Sequence, residues 1–413
     1  MKIVMIGPFG MRPRGTMSVR ALPLAQALIA RGHEVTLLLP PWQNPEDAGQ
    51  VWNEGGVHIE NMALPAGVPG WFHWRLTVSL VRRAVALRPD VIHTFKPKAY
   101  AGLVHFALRR RFPVVVDTDD WEGPGGWNDL NPYSPLLKRF FTWQERWGLE
   151  RADAVTAASR ALQTLAWSVG GAAERVFYLP NGFVSRQMTL RHRESGSRPT
   201  LLLYTRFFEY DVARLWRIVT GVRARVPDVR LWVVGKGFFE EETVLLSLAR
   251  ADGWRVTETL SPAPEDDLRV ARKAAVQTTL TPSSEDDLVY AGMVPPDDLP
   301  AHFAQAGVAL YPFDDTLLNR TKCPVKLMDL LAAGVPVVGD AVGQIVESVR
   351  HGETGLLVPP GDDAAFIDAV SLLLHDEGMR RSLGTRAASD VRARFAWEKL
   401  AMVAEAAYRY VLR

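Results

Sequence analysis

The sequence predicts a parallel α/β protein built from two doubly wound domains. Short β-branched runs alternate with longer helical patterns from the first residue onward. Pro180-Asn181-Gly182 stops the first series with turn chemistry, a polar stretch from Arg191 to Pro199 follows, and the alternation then restarts. At 413 residues the chain also exceeds the size at which one hydrophobic core keeps growing, so two domains of about 200 residues are expected. Two lobes would leave room for a cleft.

In the first half, strands are expected at 2–6, 35–39, 57–61, 91–94, 114–117, 154–157 and 176–179, with helical periodicity over 17–31, 72–87, 99–110, 134–151 and 159–168. In the second half they are expected at 200–205, 231–234, 289–291, 308–311, 336–339 and 355–358. The rhythm breaks between Trp254 and Leu288, where an acidic insert containing Pro, Ser and Thr (261–287) reads as surface elaboration. After Pro359 the chain is helical, with a last helix from near Trp397. The expected domains are 1–185 and 186–394, followed by the terminal helix 395–413.

Composition narrows the function. Apolar residues at 47% and charged residues at 23% exclude a disordered chain. Forty-eight basic against 46 acidic side chains give a formal charge of +2, so no bulk electrostatic drive toward nucleic acid exists. The single cysteine, Cys323, excludes an internal disulfide framework and fits a reducing cytoplasm. MKIVMIG enters a strand without a signal-peptide pattern, and no stretch reaches the roughly 20 apolar residues of a spanning helix.

Several constellations could carry chemistry. The first loop, GPFGMRPRGTMS, opens a helix at Gly15 and Thr16, where backbone amides and the helix dipole suit an anion; a plain structural turn is the alternative. Its glycines do not spell GxGxxG. Gly235-Lys236-Gly237 reads as a tight strand-to-helix turn, and no Walker A pattern occurs. A nicotinamide dehydrogenase and a P-loop enzyme are therefore disfavoured. Arg206 follows the first strand of the second domain, at the carboxyl end where α/β ligands bind. Lys326 stands in the first turn of a helix, where its charge opposes the dipole unless an anion is nearby. Asp117, Asp119 and Asp120 crowd the end of a buried strand, which points to a sugar or acceptor site, a divalent metal or a capping network. His93 is a cleft candidate or a satisfied core histidine. Aromatic and basic residues interleave over 70–88 and 133–151, as on a helix at an anionic membrane surface or on an ordinary half-buried one.

Residues 322–362, KCPVKLMDLLAAGVPVVGDAVGQIVESVRHGETGLLVPPGD, carry the most specific wording. This segment resembles the nucleotide-sugar-binding edge of retaining GT-B glycosyltransferases of family 4, in which helix-AAGVPVV, a Gly/Glu turn and GLLVPPGD recur in that order. The resemblance implies two Rossmann-like domains facing across a cleft and a C-terminal helix returning to the first. It implies transfer of a sugar from a nucleoside diphosphate sugar to an acceptor hydroxyl of a glycan, a lipid-linked molecule or a small molecule. No further cofactor and no metal are implied. Arg206, Lys326 and the Gly15 loop would stabilise the departing diphosphate, and Asp329 would hold the ribose. Val294, in AGMVPPDDL, would frame the base, while Gly343, Gln344 and Glu347 would lie beside the donor sugar. His93, Asp117, Asp119 and Asp120 would face the sugar or acceptor, with Asp119 closest to the chemistry. Family 4 enzymes usually carry a lysine where Asp211 stands, a glutamate where Thr321 stands and His-Asp where Asp119-Asp120 stands. A nucleotide-sugar 2-epimerase of the same fold, and a weakened member that only binds a nucleotide sugar or a partner, remain alternatives. Since many relatives use lipid-linked acceptors, peripheral contact with the inner membrane face stays open.

Overall fold

The computed structural model describes residues 1–12, 15–170, 172–183, 198–259, 283 and 285–413. The domain boundary expected at 185 and 186, and residues 261–282 and 284 of the insert, lie outside the described residues. The chain divides into two compact units. The first comprises Met1–Val184, Thr316–Cys323 and Phe395–Arg413, and the second comprises Ser185–Asp315 and Pro324–Arg394.

In the first unit the strands are β1 (Lys2–Ile6), β2 (Glu34–Leu39), β3 (Val51–Glu54), β4 (Val57–Asn61), β5 (Val91–Phe95), β6 (Val114–Thr118), β7 (Ala154–Ala157) and β8 (Val176–Tyr178). They form one sheet in the order β3-β4-β2-β1-β5-β6-β7-β8. All its pairings are parallel except the β3–β4 hairpin, which turns at Gly55 and Gly56, both at positive φ. Strand β3 was not expected: Val-Trp-Asn-Glu at an exposed edge lacks the buried β-branched run that announces the central strands.

Alternate side chains of the central strands feed opposite faces. Ile3 and Met5 join a core closed by α1 (Leu22–Ala30) and the C-terminal helix Trp397–Val411. Val4 and Ile6 join a second core under α2 (Pro69–Ala86), α3 (Ala99–Leu108), α5 (Pro135–Arg151) and α6 (Arg160–Ser168); the short α4 (Trp127–Leu130) precedes α5. The C-terminal helix is pinned to the end of α1 by Glu405. Its carboxylate accepts from Arg31 Nε at 2.6 Å and Nη2 at 3.0 Å, and meets His33 Nε2 at 2.8 Å.

One buried cation organises the centre of this unit. A six-residue π-helical segment, Thr16–Ala21, precedes α1 and carries Arg20, which has no solvent exposure. Its guanidinium donates to both oxygens of Asp117, at 2.8 and 2.6 Å, to Asn181 Oδ1 at 3.0 Å and to the Leu179 carbonyl at 2.8 Å. Thr156 Oγ1 also donates to Asp117 Oδ2 at 2.6 Å. Asp117 is therefore a fully buried structural carboxylate and not a sugar-side residue, which corrects that expectation. Both nitrogens of His93 are likewise engaged, Nδ1 with Tyr408 Oη at 2.8 Å and Nε2 with Thr156 Oγ1 at 3.2 Å. Burial, aided by the nearby Arg20 charge, pushes His93 down to about 3, so it is a neutral core histidine and its expected place beside the sugar is withdrawn.

The second unit holds β9 (Thr200–Tyr204), β10 (Arg230–Val234), β11 (Val256–Glu258), β12 (Leu288–Tyr290), β13 (Val308–Tyr311), β14 (Val337–Asp340) and β15 (Leu356–Val358). These form a parallel sheet in the order β11-β12-β10-β9-β13-β14-β15. Arg214, on α7 (Val212–Arg225), grips Asp340 at the end of β14 with Nη1 at 2.9 Å and Nη2 at 2.8 Å, and donates through Nε to Asp363 at 2.8 Å. Phe313 N donates at 2.8 Å to Asp340 Oδ2, the oxygen that also takes Arg214 Nη1.

Two outcomes follow from these pairs. Removing one partner of the Arg20–Asp117 pair leaves an uncompensated buried charge, so Arg20→Met is expected to destabilise the protein by about 3–5 kcal/mol, and Arg20→Met/Asp117→Leu to recover part of that loss; urea unfolding measures both. Glu405 is held down to about 2, first by its Arg31 hydrogen bonds, against an ordinary value of 4.5. A depressed carboxyl contributes stability above its unfolded value and loses it on acidification. The thermal midpoint should therefore fall as pH drops from about 4.5 toward 2, and Glu405→Gln should flatten that slope.

Candidate functional site

In the first unit the candidate residues meet at the carboxyl ends of β5 and β6. Gly15 is exposed and caps the segment that opens with Thr16, whose hydroxyl donates to Asp119 Oδ2 at 2.9 Å. Lys96, which follows β5, reaches Asp119 Oδ1 at 2.9 Å, Asp120 Oδ2 at 2.8 Å and Glu122 Oε1 at 3.5 Å. Lys98 adds a 2.6 Å pair with Glu122 and lies over the rings of Tyr133 and Phe141. Glu122 N donates to Glu145 Oε2 at 2.7 Å. The carboxylates that suggested a metal are thus each engaged by a basic side chain, Asp117 by Arg20 and the others by Lys96. Among the described residues no group of three or more His, Cys, Asp and Glu is disposed to hold a metal ion.

Burial pushes the Asp119 carboxyl up, but Lys96, Arg20 and Thr16 together hold it below the ordinary range. It is an ionised acceptor with a fixed direction. Glu145 shows the opposite balance: burial and the neighbouring Glu122 push it well up, so it retains its proton most readily. Lys96 sits at φ +58°, an uncommon conformation for a side-chain-bearing residue, and its N–H donates to the Asp117 carbonyl at 2.9 Å. Such strain costs on the order of 1–3 kcal/mol and persists only where neighbours over-determine it, as three carboxylates do here.

In the second unit the donor candidates gather at the equivalent edge. The loop after β9 is fixed by Thr205, whose hydroxyl takes the Phe207 N–H at 2.8 Å and the Tyr210 hydroxyl at 2.9 Å. Phe207 is fully buried at φ +70°, so the neighbouring Arg206 is turned outward from an anchored loop. Its guanidinium lies 5.0 Å from the Phe238 ring and Nη1 is 3.8 Å from Met293 Sδ; no carboxylate among the described residues pairs with it. Gly235 N donates to the Gly292 carbonyl at 2.7 Å, drawing the turns after β10 and β12 together. Gly235 sits at φ +125°, and a Cβ there would lie 1.9 Å from the Thr205 carbonyl oxygen, so only glycine fits beside Arg206. Val294, two residues after Gly292, is half-buried.

Lys326 occupies the first turn of the helix Val325–Ala332, and its ammonium lies 3.4 Å from the centroid of the Tyr204 ring at the end of β9. Asp329, one turn on, shares that helix face. Burial pushes the Tyr311 phenol well up, and the charges of Glu209 and Asp329 add to it, which sets all three in one neighbourhood. Gly343 takes φ +50° and leads into Gln344, 1% exposed, and the short helix Ile345–Ser348 that carries Glu347. Arg394 donates to the carbonyls of Glu347 and Ser348, at 2.9 Å each.

The two departures in the sequence have structural occupations. Asp211 caps α7, its carboxylate accepting the Ala213 N–H at 2.9 Å, and a lysine there would lose that cap. Thr321 is fully buried in the first unit, donating to the Leu317 and Leu318 carbonyls. Sequence reasoning missed Lys96, Lys98, Arg20 and the rings of Tyr204 and Phe238. The Lys-Pro-Lys run directly after a buried strand was the available signal for the first two.

The chain is similar to known glycosyltransferases over most of its length. Residues 15–182 match the family model described as a glycosyl transferase 4-like domain, and residues 269–376 match glycosyl transferases group 1. The chain is 36% identical over 417 residues to a phosphatidyl-myo-inositol mannosyltransferase of Mycobacterium leprae, covering 97% of this chain and 94% of that one. It is 25% identical over 388 residues to a GDP-mannose-dependent alpha-(1-6)-phosphatidylinositol monomannoside mannosyltransferase of Mycobacterium tuberculosis, covering 90% and 88%. Among solved structures, a sucrose-phosphate synthase from Thermosynechococcus elongatus superposes with a TM-score of 0.67 at 21% identity, over 99% of this chain and 98% of that one, which shows a shared fold. The chain belongs to glycosyltransferase family 4, the glycosyl transferases group 1: it has the GT-B fold and is a retaining, hexosyltransferase-type enzyme that draws on a nucleotide-sugar donor.

Proposed function

We propose that the enzyme transfers mannose from GDP-mannose to a ring hydroxyl of a phosphatidylinositol-type lipid. The likeness to the Mycobacterium leprae enzyme along nearly the whole chain supports the substrate pair, and the GDP-mannose dependence of the Mycobacterium tuberculosis relative supports the base. The observation that carries the donor site is Arg206, an outward guanidinium on a rigid loop with no carboxylate partner among the described residues.

On this reading the bond between the anomeric carbon and the β-phosphate oxygen breaks as the acceptor oxygen bonds the same face. The acceptor proton passes to the departing diphosphate. Arg206 and Lys326 offset the charge that develops there, assisted by the amides at Gly15. Asp329 accepts from the ribose, the backbone around Val294 frames the guanine, and Gly343, Gln344 and Glu347 line the mannose. Asp119 and Asp120 orient sugar hydroxyls from the acceptor side. No described helix is long and apolar enough to cross a membrane. On this reading the enzyme meets its lipid peripherally at the inner surface, with α2 presenting Trp71 and Trp74, 57% and 61% exposed, beside Arg75 and Arg82.

Calorimetry with GDP-mannose, UDP-glucose and ADP-glucose tests the donor, and transfer of labelled mannose to phosphatidylinositol tests the acceptor. Arg206→Ala and Lys326→Ala should each weaken GDP-mannose roughly tenfold or more, the worth of a charge-assisted contact to phosphate. Unchanged affinity in both variants would remove the donor-site assignment, and preference for a UDP- or ADP-sugar would replace the base.

A further inference from the structure

The outer face of α5 bears a groove that the donor and acceptor residues do not use. It encloses about 620 Å³ between Pro124, Asn128, Lys138, Arg139, Trp143 and Arg146, with Asp129, Thr142, Trp147 and Glu150 completing the rim. That volume suits a small ligand. Leu136, Phe140, Trp143 and Trp147 recur at helical spacing, so the apolar stripe lies opposite the one that α5 buries through Phe141, Gly148 and Leu149. Trp143 is 47% exposed, yet it is held in a stacked series, 5.9 Å from Phe140 on one side and 5.9 Å from Trp147 on the other. A rigid indole facing solvent is a ready platform for the apolar face of a ring.

Arg139 and Arg146 flank that platform two helical turns apart, roughly 10 Å along the axis. Both are exposed, and neither has a carboxylate partner among the described residues. Asn128 is 1% exposed, and no group among the described residues donates to its side-chain oxygen. Unpaired guanidinium groups select an anion. The acids on the same rim are partly engaged, Asp129 Oδ2 accepting from Gly125 N at 2.6 Å and Glu150 Oε1 lying 3.2 Å from Arg151 Nη2, and the second oxygen of each carboxylate can accept a hydrogen bond from a hydroxyl. Indole platform, fixed cations and hydroxyl acceptors together describe one ligand chemistry.

We propose that this groove binds a phosphate ester carried on a polyhydroxylated ring, with the ring on Trp143 and the phosphate between Arg139 and Arg146. Free polyol phosphates and lipid head groups share that chemistry. The site is argued from α5 alone and only the inositol probes rest on the acceptor reading above; the α5 variants separate the two, because they leave the acceptor candidates untouched.

Calorimetry of the full chain with inositol monophosphate, and flotation with phosphatidylcholine vesicles doped with either phosphatidylinositol or phosphatidylserine, separate the sources. Trp143→Ala and Arg139→Gln/Arg146→Gln alter exposed side chains, and an unchanged unfolding midpoint certifies the fold. Binding of inositol monophosphate that falls about tenfold or more in each variant supports the proposal in its free form. Binding confined to phosphatidylinositol vesicles, with the same loss in the variants, supports the lipid-borne form. Equal losses on phosphatidylserine vesicles would make the face a plain bilayer contact and overturn the proposal. Absence of binding to both inositol-bearing probes, or variants that bind them as the parent does, would also overturn it.

Discussion

The first unit is arranged around the charge on Arg20. A guanidinium without solvent exposure survives only if every donor is answered, since an unanswered buried charge costs several kcal/mol. Here the answers come from distant parts of the chain: Asp117 at the end of β6, Leu179 and Asn181 beyond β8, and the helical segment that carries Arg20 itself. Asn181 passes the constraint on, its N–H donating to Cys323 Sγ at 3.1 Å and its amide to the Cys323 carbonyl at 3.0 Å. Fixing one cation therefore fixes where Thr16 points, and Thr16 in turn fixes Asp119. The second unit reaches a similar solution with Arg214 and Asp340, whose carboxylate also takes the N–H groups of Phe313 and Gly361.

Beside this rigid pair, the acidic cluster is a balance of opposed terms. Lys96 supplies one positive charge to three carboxylates and accepts a strained backbone in order to do so. Asp119 is held below the ordinary carboxylate range and Glu145 is pushed well above it, although both are buried within the same network. Fixed charges of this kind are preorganised, so a polar group meeting them finds its partners already oriented.

The central strands of both sheets were legible because parallel strands covered on both faces read as continuous β-branched runs, VVVDT and TLLLY among them. Edge strands were not: β3 exposes most of its side chains, and β11 is three residues long. Lys326, Asp329 and Gly343 were nominated together because they sit in one contiguous segment with specific wording. Arg20 was not, because an arginine in a helical pattern looks like a solvated base until the fold brings Asp117 from 97 residues away. His93 and Asp117 illustrate the converse error, in which a polar residue at a strand end reads as a ligand although its partners are internal. Nothing local marks Thr316–Cys323 as part of the first unit, because that membership depends on Ser159 and Asn181.

The first unit's discontinuity bears on how the protein is made. Ribosomal synthesis delivers the N-terminal strands first, and single-stretch domains can complete their cores while the remainder is still emerging. This unit cannot, because Trp397, Leu400, Ala404 and Tyr408 close the core over α1, and His93 shares a hydrogen bond with Tyr408. Until residues 397–408 leave the tunnel, the apolar face of α1 and β1 stays open to water. The nascent chain thus carries an unfinished half while the whole second unit is being made, and truncation at the first unit's earlier boundary would leave that face bare permanently.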